Sequence, residues 1–423
     1  MTIQAGRSGY GKRLAVNRDR LWQSVLDLAK IGGTDKGGVT RLTLSKEAGI
    51  ARNLVVSWCR EAGCSIAIDQ IGNIFARRAG KNPDLPVVAS GSHIDTQPKG
   101  GKFDGNYGVL AALEVFRTLN ENKIETEASL ELCIWTNEEG SRFAPNMMGS
   151  SVYTGDLNLT DVLNKKDADG IRVGDALKEI GYDGQAPTSL KEGAHRLGAY
   201  FEAHIEQGPL LDKLGIDIGV VTGALGQYWY DVDIVGFANH AGTTPMNMRQ
   251  DPMLAAAELI QGIITIGKSH GDDGRATVGS MRVLPNARNV IPAEVRFTAD
   301  LRHSNDQVLR LIDQELRTLA SQMAAKYNVI VNIGQILDLN PQQFNKTLVN
   351  IVRNAANDLG YSNIDMLSGA GHDAVQLSQT LPVAMIFIPS KDGISHNEAE
   401  YSSPEQVEMG ANVLLQAMLA KSS

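Results

Sequence analysis

The feature that most restricts the fold of this chain is a recurring order of short apolar runs and longer periodic segments. Pro86–Ser90 (PVVAS), Ser129–Thr136 (SLELCIWT) and Pro382–Ile388 (PVAMIFI) have strand length and are rich in β-branched and apolar residues. Ser65–Phe75 (SIAIDQIGNIF) reads as a further β-rich run. Helical periodicity appears over Asn17–Lys30, Ser45–Ala62, Gly105–Leu119 and Leu348–Leu359. Strands alternating with helices predict an α/β domain built on a mainly parallel sheet.

From about Thr222 to Gly334 the order changes. Strand Tyr230–Gly236 precedes helix Pro252–Gly267, strands Ala276–Leu284 and Val290–Leu301, helix Asp306–Lys326 and strand Val329–Ile333. That β-α-β-β-α-β order is ferredoxin-like. A chain of 423 residues exceeds one ordinary core. The expectation is a discontinuous, mixed-sheet α/β domain (1–221 and 335–423) interrupted by an inserted α+β domain (222–334).

A formal net charge of −8 argues against nucleic acid or an anionic membrane as partner. No apolar run approaches the roughly 20 residues that span a bilayer. The three cysteines form no metal-finger spacing, and so low a count suits a reducing compartment, so a cytoplasmic location is expected. The N-terminal MTIQAGRSGYGKRLAVNRDR lacks the apolar core of a secretory signal and reads as a short disordered arm.

Four polar clusters follow β-rich runs: His93 and Asp95 with Asp104 nearby, Glu138-Glu139, His204 with Glu206, and His396. Ligands of open α/β sheets bind beyond the carboxyl ends of strands, so these clusters can converge on one crevice. Three histidines with two or three carboxylates suit divalent transition metals, zinc first, with manganese, cobalt or nickel as alternatives. Five ligands exceed what one open catalytic ion needs but serve two ions that share a bridging carboxylate. Each element also has a plainer reading. A single histidine at a strand end is more often a hydrogen-bonded structural group, Glu138-Glu139 alone would be a solvated pair, and SGAGHDA (Ser368–Ala374) would be a turn with His372 or Asp373 capping a helix. Their joint occurrence favours a site. HExxH, GxxxxGKS/T and GxSxG are absent, Cys133 sits within an apolar strand as core, and GRSGYG has the wrong context for a dinucleotide loop.

Taken together, GSHIDTQPKGGKFDG, TNEEGSRF, HIEQGP, NHAGTTPM, SGAGHDA and GISHNEAE resemble the dinuclear-metal peptidase and amidohydrolase family. Within it they are most similar to the branch of N-carbamoyl-L-amino-acid amidohydrolases, β-ureidopropionases and allantoate amidohydrolases, from about Arg20 to the C terminus. The resemblance implies two divalent ions held by His93, Asp104, Glu139, His204 and His396, with Asp104 bridging. It implies that Asp95 orients His93 and that Glu138 is the general base. It makes 222–334 a lid and dimerisation domain and the remainder the catalytic domain of a homodimer. His240 would reach the neighbouring subunit's active site, Asn289 and Arg302 would hold a substrate carboxylate, and Gln207 would touch substrate. The implied reaction is hydrolysis of the carbamoyl group of N-carbamoyl-L-amino acids or N-carbamoyl-β-alanine. Alternatives are an allantoate or ureidoglycolate amidohydrolase, an aminoacylase or dipeptidase, and a non-catalytic binding protein of the same fold.

Overall fold

The computed structural model describes residues 14–190 and 196–423; most of the expected N-terminal arm, with GRSGYG, lies outside them. The chain divides into two compact units. One runs up to Thr222 and continues over Phe344–Met366 and Gly371–Ser423; the other comprises Gly223–Gln343 with Leu367–Ala370.

In the first unit the strands lie in the order Ser65–Ile68, Ile74–Arg78, Leu130–Trp135, Val87–His93, Leu197–Ile205, Val383–Ile388 and Ile218–Ala224. The four from Leu130–Trp135 to Val383–Ile388 are mutually parallel, and their neighbours on both sides are antiparallel. The sheet is therefore mixed, as the fold-class expectation had it, and its parallel part is a block of four strands. Each parallel strand is wholly buried apart from Gly198, so apolar runs without alternation are what this sequence needs there. Helix Asn106–Glu121 buries Tyr107, Leu110, Leu113, Val115, Phe116 and Leu119. Each such side chain stabilises the fold by about 1.5–3 kcal/mol.

Ser65–Phe75 is not one run. It holds strand Ser65–Ile68 and the start of its antiparallel partner Ile74–Arg78. The Asp69 carboxylate accepts from the backbone N–H of Ile71 and Asn73 and from the Asn73 side chain, while Gly72 takes φ +82°. Those bonds close a tight turn around a buried Ile71.

The second unit has the strand order Met281–Leu284, Glu294–His303, Gly226–Val235, Ile330–Leu339, all antiparallel. Tyr228, Tyr230, Val232 and Ile234 alternate onto one face with Val295, Phe297, Ala299 and Leu301, where helices Pro252–Ser269 and Asp306–Tyr327 supply the rest of the core. This is the ferredoxin-like order. Two expected strands are each split. Ala276–Leu284 becomes Arg275–Thr277 and Met281–Leu284, and Val290–Leu301 becomes Val290–Ile291 and Glu294–His303. Pro292 has no N–H for the ladder, and the short piece before it pairs instead with Asn239–His240.

Candidate metal centre

The parallel block explains why separate clusters meet. Parallel strands end on the same side of a sheet, and His93 is the last residue of Val87–His93 while His204 is the penultimate residue of Leu197–Ile205. Glu138 and Glu139 follow Leu130–Trp135, and His396 follows Val383–Ile388 after a short connection.

Asp104 lies at the meeting point. Its Oδ1 is 3.7 Å from His93 Nε2 and 3.2 Å from His204 Nε2; its Oδ2 is 3.1 Å from His396 Nε2. His396 Nε2 is also 3.4 Å from Glu139 Oε2. Two ligand groups thus share one carboxylate: His93, Asp104 and His204, and Asp104, Glu139 and His396. Glu138 belongs to neither group, and its Oε2 stands 3.5 Å from His93 Nε2.

The hydrogen bonds around these groups fit metal ions. His93 Nδ1 donates to the Asp95 backbone carbonyl at 2.9 Å and His204 Nδ1 to the Ile205 carbonyl at 2.9 Å. With Nδ1 donating to a carbonyl, each Nε2 faces a carboxylate oxygen and can meet it through a proton or through a metal ion; His204 Nε2 also lies 3.2 Å from the Gly105 N. A third grouping of Glu202, His204 and His372 is already filled: the Glu202 oxygens accept from Ser92 Oγ and the Ala374 N–H.

Burial pushes the Glu138 carboxyl well above the ordinary range; His93 opposes this, while Asp373, Glu139 and Asp104 add to it. Burial and then the Asp104 charge raise Glu139 to about 7. Against the cost of burial, hydrogen bonds from His204, His396 and His93 hold Asp104 well below the carboxylate range. The hydrogen bond to Asp104 raises His396 to about 9. Glu138 and Glu139 are thus both pushed up while Asp104 is pushed down, and it is position, not the direction of the shift, that sets Glu138 apart from the ligand groups.

Other expected residues occupy different positions from those their types suggest. Asp95 orients His93 through its backbone carbonyl, whereas its carboxylate stands 3.8 Å from Nδ1 and accepts from the Glu139 N–H at 3.3 Å. Gln207, at φ +57°, donates from Nε2 to Asp104 Oδ2 at 2.9 Å and to Ser395 Oγ at 3.1 Å. Glu206 accepts from the Leu210 and Leu211 N–H groups, away from the ligands. His372 precedes the short helix Asp373–Leu377 without a side-chain cap bond; it is buried with its ring 4.5 Å from that of His204. Asp373 accepts from Ser150 Oγ instead of capping.

Three further residues organise the loops. Arg41, 1% exposed, donates to the carbonyls of Leu28, Ile31 and Ile94 and to Asn106 Oδ1, joining the His93 loop to the start of the helix after Asp104. Asn137, at φ +58°, donates to the Phe143 and Pro145 carbonyls and folds the segment carrying Glu138 and Glu139 back on itself. Glu400 grips the backbone of Asp104. Asn137 lies within TNEEGSRF and Glu400 is the last acid of GISHNEAE, while Arg41 lies in none of the quoted motifs.

Residues 89–420 match the model of peptidase family M20/M25/M40. The chain belongs to this family. It is 42% identical to the N-carbamoyl-L-amino-acid amidohydrolase of Rhizobium meliloti, over 97% of each chain. It is 36% identical to the allantoate amidohydrolase of Bacillus subtilis, over 92% of this chain and 93% of that one. The crystal structure of an amidase of the hydantoinase/carbamoylase family from Burkholderia multivorans superposes with a TM-score of 0.91 at 49% identity, covering 97% of this chain and 98% of that one. This M20 chain is a hydrolase of C–N bonds with His, Asp and Glu groups positioned for metal. Among its described residues no helix is long and apolar enough to cross a membrane.

The remaining expected residues of this M20 chain belong to the second unit. His240 and Asn289 lie on the short ribbon in which His240 pairs with Val290, and both are exposed. His240 Nδ1 accepts from the N–H groups of Gly242 (3.1 Å) and Thr243 (3.2 Å), which leaves the proton on Nε2, pointing away from its own loop. Arg302 uses one side of its guanidinium on the Asp300 carboxylate and donates from Nη1 to the Gly369 carbonyl.

Proposed function

We propose that this chain is a dinuclear-metal amidohydrolase that cleaves the carbamoyl group of N-carbamoyl-L-amino acids or N-carbamoyl-β-alanine, with water as co-reactant and the amino acid, ammonia and carbon dioxide as products. The observation that carries the reading is the pair of ligand groups sharing Asp104 beside a Glu138 carboxyl that belongs to neither. Two divalent cations held by His93, Asp104, Glu139, His204 and His396, zinc first among candidates, would lower the pKa of a water and polarise the carbonyl. Glu138 takes the proton of the attacking water and delivers it to the departing nitrogen. His240 donates from Nε2 to the oxyanion that forms, acting in the active site of a second copy, so the active species is a homodimer. Arg302 and Asn289 hold the substrate carboxylate, Arg302 giving up its pairing with Asp300 to do so, and Gln207 contacts the substrate beside Asp104. The units up to Thr222 and from Phe344 act as catalytic domain, and Gly223–Gln343 as lid. Three cysteines without a disulfide support a cytoplasmic location.

The similarity to the Rhizobium meliloti enzyme favours carbamoyl amino acids. Allantoate is the second reading, on the similarity to the Bacillus subtilis enzyme. Ammonia release over N-carbamoyl-β-alanine, a series of N-carbamoyl-L-amino acids and allantoate decides between them. The highest kcat/KM is expected on a carbamoyl amino acid. Preference for allantoate replaces the first reading with the second, and no release from any of them removes both.

A further inference from the structure

Glu400 stands four residues after His396 and is 2% exposed, yet among the described residues it forms no ion pair with Lys, Arg or His. Its Oε1 accepts from two successive backbone N–H groups, Phe103 at 2.9 Å and Asp104 at 3.1 Å. Its Oε2 accepts from Ser395 Oγ at 3.2 Å, and that hydroxyl is also 3.4 Å from Asp104 Oδ2. Both backbone bonds run into one carboxylate oxygen, and the other meets the Ser395 hydroxyl. Gly101 leaves the space: a Cβ there would overlap the Glu400 carboxylate.

The consequences converge on Asp104. One carboxylate oxygen fixes the peptide that precedes the Asp104 side chain. On the other side of Asp104, its carbonyl accepts from the Asn106 N–H at 2.7 Å and Asn106 Nδ2 at 2.9 Å. Ser395 and Glu400 flank His396 in the chain, so the same contacts join the His396 loop to the Asp104 loop. A second buried carboxyl beside one that must hold cations favours those cations electrostatically when it is ionised.

We propose that Glu400 is a positioning residue for the ion held by Asp104, Glu139 and His396. It fixes the direction from which Asp104 reaches that ion, ties the Asp104 loop to the His396 loop through Ser395, and adds a negative charge outside the ligand set. The inference rests on the two-ion reading above.

Calorimetric titration of metal-free protein with Zn2+ tests it without reference to turnover. Glu400→Gln keeps the size and the acceptor oxygen but removes the charge, and Ser395→Ala removes the link between the loops. Wild type is expected to take up two ions. Glu400→Gln should weaken one of them by about 10- to 100-fold, the usual scale for a partner outside the ligand shell, and Ser395→Ala should weaken the same ion by less. In a His396→Ala background, which already lacks that ion's terminal ligand, Glu400→Gln should have little further effect. Equal affinities in wild type and Glu400→Gln overturn the proposal, as does an undiminished effect in the His396→Ala background. If Glu400→Gln fails to fold, wild-type affinity in Ser395→Ala overturns it. Failure of wild type to bind two ions would instead defeat the two-ion reading itself.

Discussion

Gly105 makes room for His93. The glycine takes φ +65°, and a Cβ built there would overlap three atoms of the His93 imidazole. Gly105→Ala therefore meets two penalties: a left-handed backbone, about 1 kcal/mol or more, and displacement of a ligand ring. Its metal affinity should fall by about 10- to 100-fold, measured by equilibrium titration. Wild-type affinity would mean that the ring is free to move aside.

Glu138→Gln should bind metal as wild type does and lose about 100- to 10,000-fold in kcat, because the amide cannot carry the proton. Metal content and initial rates on the same preparation check both halves. Unchanged turnover would remove Glu138 from the base role.

The outer members of the cluster show where sequence reading stops. That the clusters holding His93, Asp104, Glu138, Glu139, His204 and His396 would meet was legible because ligand-type residues follow β-rich runs and the parallel block brings those strand ends together. Choosing these residues over Asp95 and Glu206 took the family resemblance. Asp95 was legible as a partner of His93, but residue type does not distinguish a carbonyl from a carboxylate, and the carbonyl makes the bond. Arg41 gave no signal, and Asn137 showed only as a neighbour of the paired glutamates, since the roles of both lie in backbone carbonyls that only the folded chain presents to them. The hairpin at Ser65–Arg78 was hidden because Ile71, at the centre of its turn, is itself buried and apolar.

His240→Ala should lose about 100- to 1,000-fold in kcat, the scale of one lost oxyanion donor. Mixing it with inactive His204→Ala protein should restore activity, because each mixed dimer then contains one site with intact ligands and an intact histidine from the other subunit. Absence of any recovery after verified subunit exchange would place His240 outside the neighbouring site.

Arg302→Lys should raise KM by roughly 10- to 100-fold and change kcat less, since a lysine cannot reproduce a planar fork on a carboxylate. A substrate amide in place of the carboxylate should erase the difference between the two proteins. A change confined to kcat would contradict the binding role.

Metal binding should strengthen with pH. In the metal-free protein His396 titrates near about 9, raised from 6.5 chiefly by its hydrogen bond to Asp104, so an incoming ion must displace that proton at neutral pH. Affinity should climb by at most about tenfold per pH unit for this one proton and level off above about 9. The same raised value stabilises the metal-free fold below about 6.5, and that contribution is lost as pH passes 9. Titrations between pH 6 and 10 check the slope; an affinity that falls across that range would contradict it.

The most direct test of the central claim is ammonia release from an N-carbamoyl-L-amino acid by protein stripped with a chelator, then titrated with Zn2+, Mn2+, Co2+ or Ni2+. The stripped protein should release no ammonia, and recovery should saturate at two ions per chain. Release that survives complete removal of metal would contradict that claim.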